Sequence, residues 1–316
     1  MTVLWYALFG IAAALLFFAT GDRWILPRGW GRSPFGADIR SSTVTAPTVT
    51  MLPVPSGLAL ASCVLPTTNK PGALAVIVHG LCLNSTWYVG LAKAFVAAGV
   101  GAVLLDLHGH GRTGGARGSL PRRDDIIADL AHAILQVSAR HPDVRLVLVG
   151  HSAGAEFVLS IELAAALEKG GARIMGACGI APYLAGGKMQ APFSIRRPLI
   201  SINPRGLVSS RWPALHYNLP RAWPASELQA SFDRSLLTLL ASGEPPGRRL
   251  AALAFPILLL VGEDDDVIAP ASVIALRTDQ VDARLIPAAD HMTIVPAAAE
   301  PIIETFLRAR SHAGSP

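Results

Sequence analysis

The 316-residue chain contains only three cysteines, Cys63, Cys82 and Cys178. They are far apart, odd in number and without C-x-x-C spacing. That argues against a disulfide framework and a cysteine zinc site, and it leans towards a reducing compartment. Charge is scarce too: Asp, Glu, Lys and Arg make up 16% of the residues, against 51% hydrophobic. A chain of this composition buries a full core rather than staying disordered. The net charge of +5 is scattered, mostly as arginine, with no basic block interleaved with aromatics. Nucleic acid is therefore not expected as a partner, and an anionic membrane surface fits better. No internal repeat is visible, and the length suits one large α/β domain with an insertion, or two small domains.

One long apolar run is present. Residues 3–20, VLWYALFGIAAALLFFAT, carry no charge, and as a helix they would extend about 27 Å, close to the thickness of a bilayer core. No Lys or Arg precedes the run and Ala19-Thr20-Gly21 is a poor cleavage site, so an anchor over residues 1–21 is preferred to a cleaved signal peptide. Trp5, Trp24 and Trp30 sit where interfacial aromatics belong. Arg23, Arg28, Arg32 and Arg40 follow the run, which places the remainder in the cytoplasm by the positive-inside rule.

Residues 22–42 read as a Gly-, Pro-, Arg- and Ser-rich linker. Segments 43–52 and 58–65 flank a Pro-Ser-Gly turn and read as an antiparallel hairpin at a sheet edge. Beyond them, apolar runs at 74–78, 102–105, 146–149, 174–180, 257–261 and 283–286 read as buried parallel strands. They alternate with helical stretches near 86–98, 124–140, 153–169, 271–279 and 297–310, which implies a mostly parallel sheet covered on both faces. Residues 182–253 break the alternation with many prolines and aromatics. So long a stretch is read as a helical cap inserted into a core of residues 43–181 and 254–312.

The chemistry concentrates at strand ends. Gly150-His151-Ser152-Ala153-Gly154 follows the strand Leu-Val-Leu-Val and precedes a helix. This G-x-S-x-G pattern puts a serine on a turn too tight for bulky neighbours, so Gly150 and Gly154 clear space for a Ser152 nucleophile. A serine hydroxyl needs a base. On such a sheet the expected order is serine, acid, histidine. The strand ending at Gly262 leads into Glu263-Asp-Asp-Asp266, and the strand 283–286 leads to Asp290-His291. His291 is the candidate base and Asp265 the preferred acid, with Asp264 and Asp266 as alternatives and Asp290 as a weaker rival. His132, His141, His216 and His312 lie on or beside a helix, in the cap or in the tail, and compete poorly as bases. After the strand 74–78, His79-Gly80-Leu81 allows close backbone approach, so the N–H groups of Leu81 and Ala153 are candidates to hold an oxyanion. Asp106-Leu-His108-Gly-His110-Gly has H-x-H spacing without an obvious carboxylate set, and the Gly-rich stretch 109–118 lacks a phosphate-loop ending. Neither a metal nor a cofactor is expected.

These motifs resemble the monoacylglycerol lipase and lysophospholipase branch of the α/β-hydrolases, close to the serine aminopeptidase S33 group. An HG loop, the D-x-H-G-H-G loop, a short Arg-Gly stretch, GHSAG, GEDDDVI and DHM occur in that branch's order over about residues 50–310. The resemblance implies a triad of Ser152, Asp265 and His291, oxyanion amides from Leu81 and Ala153, and a small-molecule or lipid acyl substrate. Two departures stand out: Ala153-Gly154-Ala155 replaces a bulky residue followed by two glycines, and the N-terminal run is an addition. Aminopeptidase, amidase or thioesterase chemistry is the same-fold alternative, with Glu227, Asp233 and Glu244 as cap acids that could hold an ammonium group. A non-catalytic membrane-bound binding module is the alternative of another class.

Overall fold

A computed structural model describes residues 48–65, 72–185, 200–220, 223–241 and 245–308. The run 3–20 and the linker after it lie outside these residues. Among the described residues no helix is long and apolar enough to cross a membrane.

The edge hairpin is β1 (Val49–Pro53) and β2 (Ala59–Leu65), paired antiparallel. Then come β3 (Ala73–Val78), α1 (Val89–Ala97), β4 (Gly101–Leu105), α2 (Arg123–Ser138) and β5 (Arg145–His151). The Ser152 turn leads into α3 (Ala153–Val158) and α4 (Ile161–Lys169), before β6 (Arg173–Ile180). After the insertion the core resumes with β10 (Ile257–Gly262), α8 (Pro270–Ile274), β11 (Val281–Ile286), α9 (Ile294–Ala297) and α10 (Ala299–Ile303). The insertion supplies β7 (Ile200–Ile202), α5 (Pro204–Val208), β8 (Leu215–Tyr217), β9 (Ser231–Phe232), α6 (Ser235–Ala241) and α7 (Pro246–Ala251).

Among the described residues eight strands form one sheet in the order β1-β2-β4-β3-β5-β6-β10-β11. β2 runs antiparallel to β4, and from β4 to β11 every pairing is parallel. Alternation divides the apolar strands between two cores. Leu74, Val76 and Val78 of β3 point to the side of Ile126, Leu130 and Phe157, while Ala75 and Ile77 face Leu91, Phe95 and Ile302. β3, β4 and β10 are buried along their whole length, which is why they read as unbroken apolar runs. β11, expected as a buried strand, is instead the half-exposed edge of the sheet, with Asp282, Arg284 and Leu285 at least partly in solvent.

Two other expectations need correction. The helix expected over 153–169 is broken, because Ser160 turns extended and its hydroxyl accepts the N–H of Leu163, starting α4 afresh. The cap is not purely helical: β7, β8 and β9 form an antiparallel three-stranded sheet. These strands are two or three residues long, too short to show alternation in sequence.

Candidate active site

Ser152 sits where β5 turns into α3, at φ 49° and ψ −120°, a left-handed conformation that costs a non-glycine residue energy and persists only where the surroundings fix it. Its N–H donates to Ile180 O (2.9 Å), and its carbonyl accepts from Ala155 and Tyr183. The flanking glycines are required sterically. A Cβ at Gly150 would lie 2.5 Å from Gly154 O, and one at Gly154 would lie 2.4 Å from Val78 O.

The three side chains expected to act together are in contact. The Ser152 hydroxyl is 3.1 Å from His291 Nε2, and His291 Nδ1 is 3.0 Å from Asp265 Oδ2. Asp265 follows β10 and His291 follows β11, so neighbouring parallel strands deliver both. The close approach needs Gly262, where a Cβ would meet Ala289 O at 2.1 Å. Asp265 Oδ1 accepts the N–H groups of Val267 and Ile268. Burial alone would raise this carboxyl's pKa, but the neighbouring His291 and these amides together leave it below its usual value. An ionised Asp265 keeps the proton of His291 on Nδ1 and leaves the Nε2 lone pair to the serine.

The rival acids do other things. Asp264 is exposed. Asp290 accepts the N–H groups of Met292 and Thr293 and turns the chain into α9. Ala153 directly follows Ser152, and Leu81 lies in the loop that leaves β3. Ala153 N–H opens α3, where no helix carbonyl precedes it. Leu81 follows Gly80, where a Cβ would lie 3.2 Å from Ser152 Cβ.

A second network ties these loops together, and the sequence did not disclose it. Burial, then the neighbouring His291, push the His151 pKa down to about 3, so the ring is neutral. Its Nε2 faces the carbonyl of His291 at 2.9 Å and must donate; its Nδ1 therefore accepts from the Tyr88 hydroxyl at 2.7 Å. The Tyr88 oxygen in turn accepts the Gly80 N–H at 2.9 Å. One tyrosine and one histidine thus join the Gly80 loop, the serine turn and the histidine loop. His79 is buried beneath the Gly80 loop and accepts the N–H of Leu107.

His108 does have a carboxylate companion, contrary to expectation: its Nε2 is 2.7 Å from Asp129 Oδ2, on α2. His110 donates Nδ1–H to His108 O. Among the described residues no group of three or more His, Cys, Asp or Glu could hold a metal ion. Glu156, one turn past the serine, is buried against Arg249 of α7. Of the cap acids, Glu227 is exposed, Asp233 accepts the Ser235 N–H at the start of α6, and Glu244 lies outside the described residues.

The family model described as serine aminopeptidase, S33, matches residues 69–294. The chain belongs to this family. It is an α/β-hydrolase and an enzyme of the serine-hydrolase type. The S33 hydrolase is 26% identical to a monoacylglycerol lipase from Mycolicibacterium smegmatis, over 67% of this chain and 77% of that one. Its fold matches a soluble variant of monoglyceride lipase from Saccharomyces cerevisiae at a TM-score of 0.66 and 15% identity, covering 86% of this chain and 99% of that one. A thermophilic esterase from Thermogutta terrifontis matches at 0.57 and 19% identity, covering 83% and 98%.

Proposed function

We propose that the S33 hydrolase cleaves carboxylic esters, with lipid acyl esters such as monoacylglycerols or lysophospholipids as its substrates, through an acyl-enzyme on Ser152. The observation that carries this reading is the unbroken contact from Ser152 Oγ through His291 to Asp265. His291 Nε2 takes the serine proton as Oγ attacks the ester carbonyl. The amides of Leu81 and Ala153 hold the developing oxyanion, and the imidazolium returns the proton to the leaving alcohol. Water activated by the same nitrogen then releases the acid. Asp265 fixes the ring and stabilises its charged form throughout.

Similarity to the mycobacterial monoacylglycerol lipase supports the lipidic substrate, as does the apolar, aromatic cap sequence over residues 182–253. The uncharged residues 3–20 support an anchor that holds the enzyme beside its substrate, with the hydrolase core on the cytoplasmic side. Fluorophosphonate labelling, with a panel of p-nitrophenyl esters of rising chain length, a monoacylglycerol and an aminoacyl amide, tests the reading. Labelling lost in Ser152→Ala, with ester turnover above amide turnover, is expected. A wild-type chain that resists the probe, or prefers the amide, would overturn it.

A further inference from the structure

We propose that Asn84 is a positioning residue for the oxyanion amide of Leu81: its side chain fastens the loop carrying Leu81 to the cap, so the oxyanion site is complete only while the cap is seated. The proposal rests on the reading of Leu81 as an oxyanion donor.

The loop from Gly80 to Ser85 leaves β3 without a strand partner. It contains Cys82 at φ 71°, a conformation that persists only when the surroundings hold it. Its core side is held by Gly80 N–H on the Tyr88 hydroxyl and by Ser85 N–H on Asp106 Oδ1 (2.7 Å). Its other side is held, among the described residues, by the cap. Gln229 N–H donates to Cys82 O at 3.0 Å, and Asn84 Nδ2 donates to Glu227 O at 2.7 Å. The partners run in opposite directions, 82 with 229 and 84 with 227, as in an antiparallel ladder with one rung made by a side chain. Trp87 packs on Trp223 just beyond, with ring centroids 4.5 Å apart.

Leu81 lies between a residue pinned to the core and one pinned to the cap, so the direction of its N–H depends on both. Asn84 is 4% exposed, and water has little access to replace the Glu227 carbonyl. The position needs an acceptor and a donor together, because Oδ1 also receives Thr86 N–H at 2.9 Å. Asparagine offers both on one short side chain, whereas aspartate keeps the acceptor and loses the donor.

The test uses the full chain and its Asn84→Asp, Asn84→Ala and Gln229→Pro variants. The last removes the other cap rung. Each is measured for kcat and KM on a p-nitrophenyl ester, for inhibition by an alkyl trifluoromethyl ketone whose serine adduct is tetrahedral, and for thermal unfolding. Loss of an oxyanion donor costs about 100- to 1000-fold in kcat, so misdirecting one should cost about 10- to 100-fold. KM should stay within about twofold, and ketone affinity should fall in step with kcat. Folded variants with wild-type kcat and ketone affinity would overturn the proposal. So would a lower Tm with an unmoved ratio of ketone to substrate affinity, which is the mark of a merely structural contact. If Asn84→Ala does not fold, Asn84→Asp and Gln229→Pro decide. A wild-type chain inert to ester and ketone would overturn the reading beneath, and the proposal with it. An active wild type with unaffected variants overturns the proposal alone.

Discussion

His151 holds the main-chain carbonyl of His291 through its Nε2–H, at 2.9 Å. The residue before Ser152 therefore carries the loop of His291, and Tyr88 completes the connection. In Tyr88→Phe the Gly80 N–H and His151 Nδ1 would both lose their partner in a dry interior. A loss of about 1–3 kcal/mol in stability is expected for each buried group left unsatisfied, with a fall in kcat. Urea unfolding and ester turnover measure the two, and a variant unchanged in both would remove the network's role.

Two neighbouring aspartates should separate cleanly. Asp265→Asn retains the shape but presents an amide to His291, which favours the wrong tautomer, and kcat should drop by about four orders of magnitude. Asp264→Asn, at an exposed side chain, should stay within about twofold. Equal effects in the two would mean that the acid is misassigned.

Glycine-to-alanine changes should have opposite signs at two sites. At Gly154 the new methyl would be driven into the carbonyls of Val78 and His79, at 2.4 and 2.6 Å. A loss of about 1–3 kcal/mol and weakened fluorophosphonate labelling are expected. At Gly90, exposed on α1, a Cβ meets nothing within 4 Å, so alanine should stabilise by about 0.5–1 kcal/mol. Melting temperatures of the two variants check the contrast.

Acid should unfold the enzyme in a defined window. His110 and His151 are both pushed down to about 3, by burial first and by neighbouring histidines second. Between about pH 6.5 and pH 3 the unfolded chain binds two protons that the folded chain refuses, so stability falls as pH falls. The slope is about 1.4 kcal/mol per pH unit for each ring. Below about pH 4 the lowered Asp265 adds a loss of the same sign. Unfolding free energies at several pH values, with His110→Asn for comparison, test this: the variant should show a shallower slope.

Removing residues 1–21 should release the enzyme from membranes into the supernatant after carbonate washing. Persistent sedimentation of the shortened chain would mean that another surface binds the bilayer.

Much of the architecture was legible because buried parallel strands leave an apolar signature, as 74–78 and 257–261 do. Ser152, Asp265 and His291 were legible as candidates because each follows a strand of the sheet. Ser160 escaped notice although it carried a signal: a capping serine with Glu162 two positions on, hidden by the apolar residues around it. The cap sheet gave no signal, its strands being shorter than one full alternation. Tyr88 and His151 meet across 63 positions, and no local pattern marks a tyrosine whose partners are assembled by the sheet. The pairing of Glu156 with Arg249 was invisible for the same reason, with 93 positions between them.

The order of strands across the sheet also bears on how the molecule is made. Ser152 follows a central strand made before the insertion, whereas Asp265 and His291 follow the last two strands, after the whole insertion has been threaded out. Ser152 and His291 are 139 positions apart, so their meeting waits on slow, long-range closure. A nascent chain that has exposed its serine turn cannot yet hydrolyse anything. Onset of turnover during refolding should therefore report the final docking at the sheet's far edge, later than the burial of the central strands.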